Sequence, residues 1–399
     1  MKIIAGLDIG NGYVKGSAST AGRQSGIDFP STVAYVTNMH DIKPSPEAIS
    51  GIVDDIFNQM DASFASGLVK DGSTRRLFGR RGLESGLPVE EFDVYSHLSK
   101  ASQDLSGILV LGCIAGKAVQ DYWNEKKSLP SNITVDATVA LALPITEYKK
   151  YREEYAAHFM KDRHVVTIYN FAQLITVEIT FSNVQVLAEG AAAQFAIVSK
   201  GENVMNAMLT DIRKRGIALD GITANDVIAA KNIIGIDIGE GTVNFPVLVE
   251  GQFNPDSSVT FNKGYGSVLA RAMDRLDELG YPFNSRKELA DFISTQPSNL
   301  TRARYNRVMG IIEEEKVSFA KEVSMQFVKV LSRVGSRAEV VYVYGGGATA
   351  VKDVLYPELL SAAKTFGQED YPVLYLDSKY SRYLNKEGLY MIAEIFSKK

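Results

Sequence analysis

Apolar runs and helix-spaced charged segments alternate along the chain. Residues 135–143 form an apolar run closed by Pro144, the pattern of a buried strand. Residues 148–161 follow as a charged helical segment carrying Lys149, Lys150, Arg152, Glu153 and Glu154. Residues 165–169, 174–181 and 184–188 are β-branched runs with turn residues between them and read as three strands. A helix starts over 189–198, and residues 201–231 are polar and helical in character. Further on, Val247–Val249 and Val259–Phe261 read as strands, and residues 267–279 and 303–334 as helices. In the second of these helices Val317, Ala320, Val323, Phe327, Val330 and Leu331 fall at helical spacing. Val340–Tyr344 is an apolar strand that runs into Gly345-Gly346-Gly347 and another helix. The alternation predicts the α/β class.

One pattern occurs twice. Residues 4–15 read IAGLDIGNGYVK and residues 233–244 read IIGIDIGEGTVN. Without gaps they agree at Ile4/Ile233, Gly6/Gly235, Asp8/Asp237, Ile9/Ile238, Gly10/Gly239, Gly12/Gly241 and Val14/Val243. Each copy predicts an apolar strand, a tight Asp-x-Gly-x-Gly turn and a second short strand. Asn11-Gly12 favours a hairpin because both residues tolerate positive φ. Two unrelated hairpins could share turn chemistry, but the flanking aliphatic positions agree as well. The repeat therefore predicts two similar domains, each opening with such a hairpin.

Composition narrows the class. A chain of 399 residues holds two or more domains at roughly 100–200 residues each. With 45% apolar and 23% charged residues, collagen-like, disordered and coiled-coil chains are excluded. A formal net charge of −4 argues against broad binding to nucleic-acid phosphates or anionic lipid. The single cysteine, Cys113, excludes an intrachain disulfide framework and a cysteine zinc cluster, and fits a reducing cytosol. The first apolar run is interrupted at Asp8, too early for a signal peptide. No stretch approaches the ~18 apolar residues of a membrane span. A soluble, cytoplasmic protein without membrane or direct nucleic-acid binding is expected.

The repeated hairpins carry chemistry. Glycines let backbone amides approach phosphate oxygens and form a small anion nest. A bare carboxylate beside a polyphosphate is repelled, so Asp8 and Asp237 make sense if they hold the water shell of Mg²⁺. Lys15 could reach across its hairpin to neutralise β- or γ-phosphate charge, or it is an exposed strand lysine. The triple glycine 345–347 is a third site of backbone approach, at a strand end where α/β folds bind ligands.

Three glycine elements in this order, DIGNGYVK (8–15), DIGEGTVN (237–244) and VYVYGGGA (341–348), resemble the phosphate-1, phosphate-2 and adenosine motifs of the actin/Hsp70/sugar-kinase superfamily. The resemblance implies duplicated actin-like (ribonuclease H-like) α/β domains flanking a nucleotide cleft. Domain I would span 1–188, with 30–110 as a small inserted subdomain and 385–399 returning to it; domain II would span 189–384. Asp8, Gly10, Asn11, Gly12 and Lys15 would line the first phosphate loop. Gly239, Glu240, Gly241 and Thr242, after Asp237, would line the second, and Gly345, Gly346 and Gly347 the nucleoside. Glu189, in VLAEGAAAQF, is similar to the acidic segment that orients the attacking water in bacterial actin-like proteins, which with Asp237 gives two catalytic candidates. Glu313 and Lys316 correspond to residues that touch ribose and adenine, although a solvated charged face would look the same. Asn244 departs from the acidic residue common in plasmid-segregating relatives, which puts metal affinity in question.

Among the branches, an Hsp70-type chaperone would need a peptide-binding domain after the ATPase, and here the sequence reaches Lys399 directly after the return helix. A cell-division actin would need an amphipathic membrane helix; residues 389–399 are only mildly amphipathic and join straight onto the hinge. The stretch LALPITEY (141–148) and the glycine-bearing RRLFGRRGLESG (75–86) are similar to segments of ParM-like plasmid or phage actins and archaeal actin-like ATPases. That resemblance implies a polymerising ATPase that uses ATP or GTP with Mg²⁺, assembles head to tail and moves or positions DNA through a DNA-binding adaptor protein. A sugar or carboxylate kinase of the same superfamily is the alternative.

Other features carry a plainer expectation. Arg75, Arg76, Arg80 and Arg81 read as a loop-borne solvated patch, and Arg213-Lys214-Arg215 likewise. Trp123 reads as a helix packing anchor. His40, His97, His158 and His164 lack ligand spacing. Cys113, inside an apolar run, reads as core.

Overall fold

The run at 135–143 becomes the middle of a ten-stranded sheet. A computed structural model describes residues 1–36, 44–93, 99–365 and 372–398. The chain divides into two units, Met1–Ala196 with Asn385–Lys399, and Ile197–Leu384.

Strands of the first unit are β1 (Lys2–Ile9), β2 (Tyr13–Thr20), β3 (Arg23–Pro30), β4 (Val33–Tyr35), β5 (Asp61–Ala65), β6 (Arg76–Phe78), β7 (Val89–Glu90), β8 (Asn132–Leu143), β9 (His164–Ile168) and β10 (Ile175–Ala188). Their order is β3-β2-β1-β8-β10-β9-β5-β6-β4-β7. Both β1 and β10 run parallel to β8, so their carboxyl ends share one edge. The two runs at 174–181 and 184–188 are one strand. Phe181 pairs with Ala137 and Asn183 with Thr138, leaving Ser182 as an inserted residue that the sheet absorbs without ending the ladder.

The apolar run around Cys113 is helix Asp104–Lys126, buried on nearly every side through Val119. A helix apolar all round has no exposed face to give it a 3.6-residue period. Cys113 is fully buried in it, and burial pushes its thiol well up. Trp123 packs half-buried against the same core.

The basic patch is a correction. Arg76 is 2% exposed in β6 and donates to the carbonyls of Asp71 (2.9 Å) and Thr74 (2.8 Å). Arg75 grips Asp61 with two bonds of 3.0 and 2.6 Å and stacks over Tyr169. Arg80 alone is exposed, and it pairs with Asp55 at 3.5 Å. The segment is a strand and helix (Gly79–Glu84) rather than a loop, so the guanidinium groups are turned to internal acceptors. His164 is also spent internally, on Ser66 and the Phe159 carbonyl, both at 2.8 Å. His40 and His97 lie outside the described residues.

Helix Leu384–Ser397 returns to this unit, where Leu389 and Ala393 pack with Ala140, Ala142 and Ala192. The seam is backbone on backbone. A Cβ on Gly6 would fall on the Tyr390 nitrogen, and one on Gly388 on the Ala192 carbonyl.

The second unit holds β11 (Ile233–Ile238), β12 (Val243–Phe245), β13 (Val247–Val249), β14 (Gln252–Phe253), β15 (Val259–Phe261), β16 (Val340–Tyr344) and β17 (Val373–Tyr375). Fully buried β11 is parallel to β16, which is parallel to β17. On its other edge the returning strand is broken into β12 and β13 at Pro246, which has no N–H for the ladder; its carbonyl still accepts from Gly235 at 2.8 Å. Helix Arg302–Val334 buries Val308, Ile312, Phe319, Val323, Phe327 and Val330. Val317, read as part of that stripe, lies off it and is 42% exposed.

Candidate functional site

The repeated hairpins share one backbone geometry. In the first, Asp8 pairs with Lys15 and Ile9 with Val14, and Gly10 N–H donates to the Tyr13 carbonyl at 3.0 Å. In the second, Asp237 pairs with Asn244 and Ile238 with Val243, and Gly239 N–H donates to the Thr242 carbonyl at 2.9 Å. The positive φ expected of Asn11 and Gly12 is not adopted. Four residues separate Ile9 from Val14, so no two-residue primed turn is required. The first glycine is needed for space instead, since a Cβ on Gly10 would stand 2.7 Å from the Tyr13 carbonyl oxygen.

In the first unit, three carboxylates gather at the shared carboxyl edge. Asp8 is near the end of β1; Glu147 is in the first turn of helix Ile145–Lys161, which follows β8; Glu189 directly follows β10, its N–H donating to the Leu143 carbonyl at 2.8 Å. Lys15 faces Asp8 across the hairpin. Lys100 Nζ lies 2.9 Å from Glu189 Oε1, the two side chains 6% and 14% exposed. Lys100 opens a short 3₁₀ turn in which Ser99 Oγ accepts from Ser102 N–H and Glu147 Oε2 from Ala101 N–H at 3.3 Å.

The charges feel one another strongly because little water separates them. Burial raises the Asp8 carboxyl above its ordinary range, Lys15 and Lys100 pull it down, and Glu189 pushes it further up. Burial pushes the Lys100 ammonium down, but the Glu189 and Asp8 carboxylates outweigh that and hold it above its usual value. Burial likewise raises Glu147, opposed by the N–H groups of Lys100 and Ala101. Sequence reading found Asp8, Lys15 and Glu189 but neither Lys100 nor Glu147. Nothing in HLSKASQDL (97–105) marks Lys100 apart from the serine cap beside it.

In the second unit, three glycine-bearing elements are tied together. Gly347 N–H donates to the Ile238 carbonyl (2.8 Å), Tyr265 N–H to Gly239 (2.9 Å) and Gly266 N–H to Glu240 (2.9 Å). The triple-glycine turn, the hairpin and the start of helix Tyr265–Glu278 thus meet around buried Asp237. Gly345 has φ +103°, and a Cβ there would lie 2.5 Å from both Asp237 Oδ1 and the Ile238 carbonyl oxygen. Glu240, Gly241 and Gly346 are exposed at the turn tips, with Thr242 half-buried. Glu313 and Lys316 pair at 2.7 Å on helix Arg302–Val334. Burial and then the Glu313 charge raise the Tyr265 phenol. The segment Gly264-Tyr265-Gly266 was missed; two glycines immediately before a helical pattern were the available signal. Asn244 Oδ1 accepts from Thr260 at 2.8 Å, so the position that departs from the acidic pattern is built into the strand pairing.

Among the described residues no three His, Cys, Asp or Glu side chains converge as a metal cluster. Single carboxylates beside amide-lined turns suit Mg²⁺ held through its waters and a ligand's phosphates.

Residues 6–191 match the family model for the N-terminal domain of actin-like proteins, and residues 235–356 the model for the C-terminal domain of the archaeal actin homologue MreB-like family. The chain is an actin-like protein. Its fold is similar to that of Bacillus thuringiensis ParM with ATP, at a TM-score of 0.63 and 15% identity over 100% of both chains. It is also similar to actin-like protein Alp7A, at 0.62 and 17%, covering 100% of this chain and 97% of that one. The archaeal actin homologue Ta0583 gives 0.61 and 13%, with 98% and 99% covered. No curated protein sequence matches this actin-like chain. Each matched domain carries one of its two hairpins.

Proposed function

We propose that this actin-like protein is a nucleotide-dependent, filament-forming ATPase, with both hairpins serving one Mg²⁺-bound triphosphate. The carrying observation is that two Asp-x-Gly-x-Gly turns share one hydrogen-bond pattern, each with its Asp at the end of a core strand. Relatives of the same fold have been solved with ATP, ADP and AMPPNP, which supports ATP as the ligand. The turns at 10–12 and 239–242 cradle the phosphates, the N–H groups of 11–12 and 240–242 donating to phosphate oxygens while those of Gly10 and Gly239 close the turns, and Lys15 neutralises phosphate charge. Asp8 and Asp237 hold the metal's waters, and bound Mg²⁺ supplies charge neutralisation at the phosphates. Gly345–347, Glu313 and Lys316 take the nucleoside. Glu189 orients the attacking water.

Domain I comprises 1–188 with 385–399, and domain II 189–384. Subunits stack head to tail through a heterologous contact that propagates as a filament, in the cytoplasm, linked to DNA by an adaptor protein.

Light scattering and sedimentation with Mg²⁺ and either ATP or GTP test the assembly. Polymer is expected with at least one nucleotide. No sedimentable polymer well above micromolar concentration, with phosphate transfer that needs an added small-molecule acceptor, would establish a kinase instead. Glu189→Ala should slow phosphate release by about tenfold to a hundredfold while leaving nucleotide binding intact. Unchanged turnover removes the role given to Glu189.

A further inference from the structure

The roles assigned above leave out Lys100. Its ammonium is almost sealed from water, 2.9 Å from Glu189 Oε1 and 5.7 Å from the Phe92 ring centroid. A buried ammonium persists only where a carboxylate meets it in good geometry. The backbone that presents it is pinned on two sides, by the Ser99 cap and by the Glu147 carboxylate on the Ala101 N–H. Glu147 and Glu189 in turn follow the ends of adjacent parallel strands, which fixes both acids to the sheet. Lys100 is therefore part of a rigid chain of contacts, β8 to Glu147 to the 3₁₀ turn to Lys100 to Glu189, whereas half-buried Lys15 is the lysine open to an incoming anion.

We propose that Lys100 is a positioning residue for hydrolysis, fixing the Glu189 carboxylate in the orientation that aims the attacking water, and that it does not grip the triphosphate. The assignment rests on the water-orienting role given to Glu189 above. A carboxylate held in a buried ion pair loses its rotational freedom, and small errors in aiming a reacting group are expensive in rate. The expected defect on losing Lys100 is thus in turnover rather than affinity.

The test uses the full chain with Lys100→Met and Lys100→Arg, measuring phosphate release against Mg²⁺–ATP concentration and ATP binding by calorimetry. Lys100→Met should lower kcat about tenfold or more while KM and Kd stay within about threefold. Lys100→Arg should recover part of kcat, and Lys100→Met should add little to Glu189→Ala. In the nucleotide-free protein, unfolding followed at Trp123 should show coupling, Lys100→Met with Glu189→Gln destabilising less than the two separately added. Glu147→Gln, which weakens the hold on the N–H groups of the turn while leaving the lysine side chain in place, should lower kcat by a smaller factor at unchanged KM, and it carries the test if Lys100→Met fails to fold. A wild-type chain that hydrolyses no nucleotide overturns the functional reading and this assignment with it. A hydrolysing wild type whose kcat is matched by Lys100→Met, or by both Lys100→Arg and Glu147→Gln where Lys100→Met does not fold, overturns the assignment alone. A loss of affinity at unchanged kcat makes Lys100 a phosphate ligand and overturns it too.

Discussion

Gly345 and Gly346 are neighbours with opposite constraints. Gly345 sits at φ +103° with its α-carbon against Asp237 and Ile238, whereas a Cβ on Gly346 would meet nothing within 4 Å. Gly345→Ala must therefore strain the backbone and push on a buried carboxylate, and should destabilise the second unit by about 2–3 kcal/mol. Gly346→Ala should stay within about 1 kcal/mol. Chemical denaturation followed by far-UV circular dichroism decides it; equal effects at the two positions would mean that Asp237 is not held by this turn. At this scale the sequence showed which residue types recur but not why. Asp8, Asp237 and the paired glycines were legible because the pattern is written twice. The reason for Gly10 is the Tyr13 carbonyl rather than a left-handed turn, and a letter code does not distinguish the two. Lys100 was illegible because its meaning comes from residues 8, 147 and 189 meeting it in space.

Between β11 and β16 the ladder begins on a carboxylate. Glu339 Oε2 accepts from the N–H groups of Lys231 (2.8 Å) and Asn232 (2.7 Å), and Glu339 N–H returns a bond to the Asn232 carbonyl at 2.8 Å. Those donors hold the Glu339 carboxyl below its ordinary range. A lowered folded-state value means that the stabilisation is present at neutral pH and is lost as pH falls through that value. Because Glu339 is exposed, solvent screening limits the effect to at most about 1 kcal/mol. Glu339→Gln should thus be slightly less stable than wild type at pH 7, with the gap closing below about pH 4, as paired denaturation curves would show. A gap independent of pH would assign the effect to geometry rather than charge. Elements with strong periodicity or sharp ends, such as β16 before its glycines, were legible from sequence. Helix Asp104–Lys126 was not, being apolar all round, and neither was the continuity of β10 through Ser182. The arginines at 75 and 76 misled because charge in a sequence says nothing of the Asp61 that absorbs Arg75 or of the Asp71 and Thr74 carbonyls that absorb Arg76.

At the scale of the whole molecule, the two ends of the chain build one unit while the middle builds the other. The repeat at 8 and 237 announced the duplication, but the return of the last helix to the first unit rested on resemblance, since no local pattern tells a helix which sheet it will cover. That helix now has a physical role. Leu389 and Ala393 are fully buried against Ala140, Ala142 and Ala192, and the seam is so close that Gly6 and Gly388 admit no side chain. Removing 385–399 would uncover the apolar face of β1 and β8. At roughly 25 cal/mol per Å² of apolar surface, the loss amounts to about 3–5 kcal/mol, comparable with a typical domain's whole stability. The single tryptophan, Trp123, lies in the first unit, so its fluorescence reports that unit. A chain ending at Leu384 should therefore lose, or shift far down, the transition seen at Trp123. Peptides covering Ile233–Ile238 and Val340–Tyr344 should keep their hydrogen-exchange protection, because β11 and β16 are buried by residues of the second unit. If both units lost protection together, the division of the chain would not be one of stability, and the second unit could not be treated as folding on its own contacts.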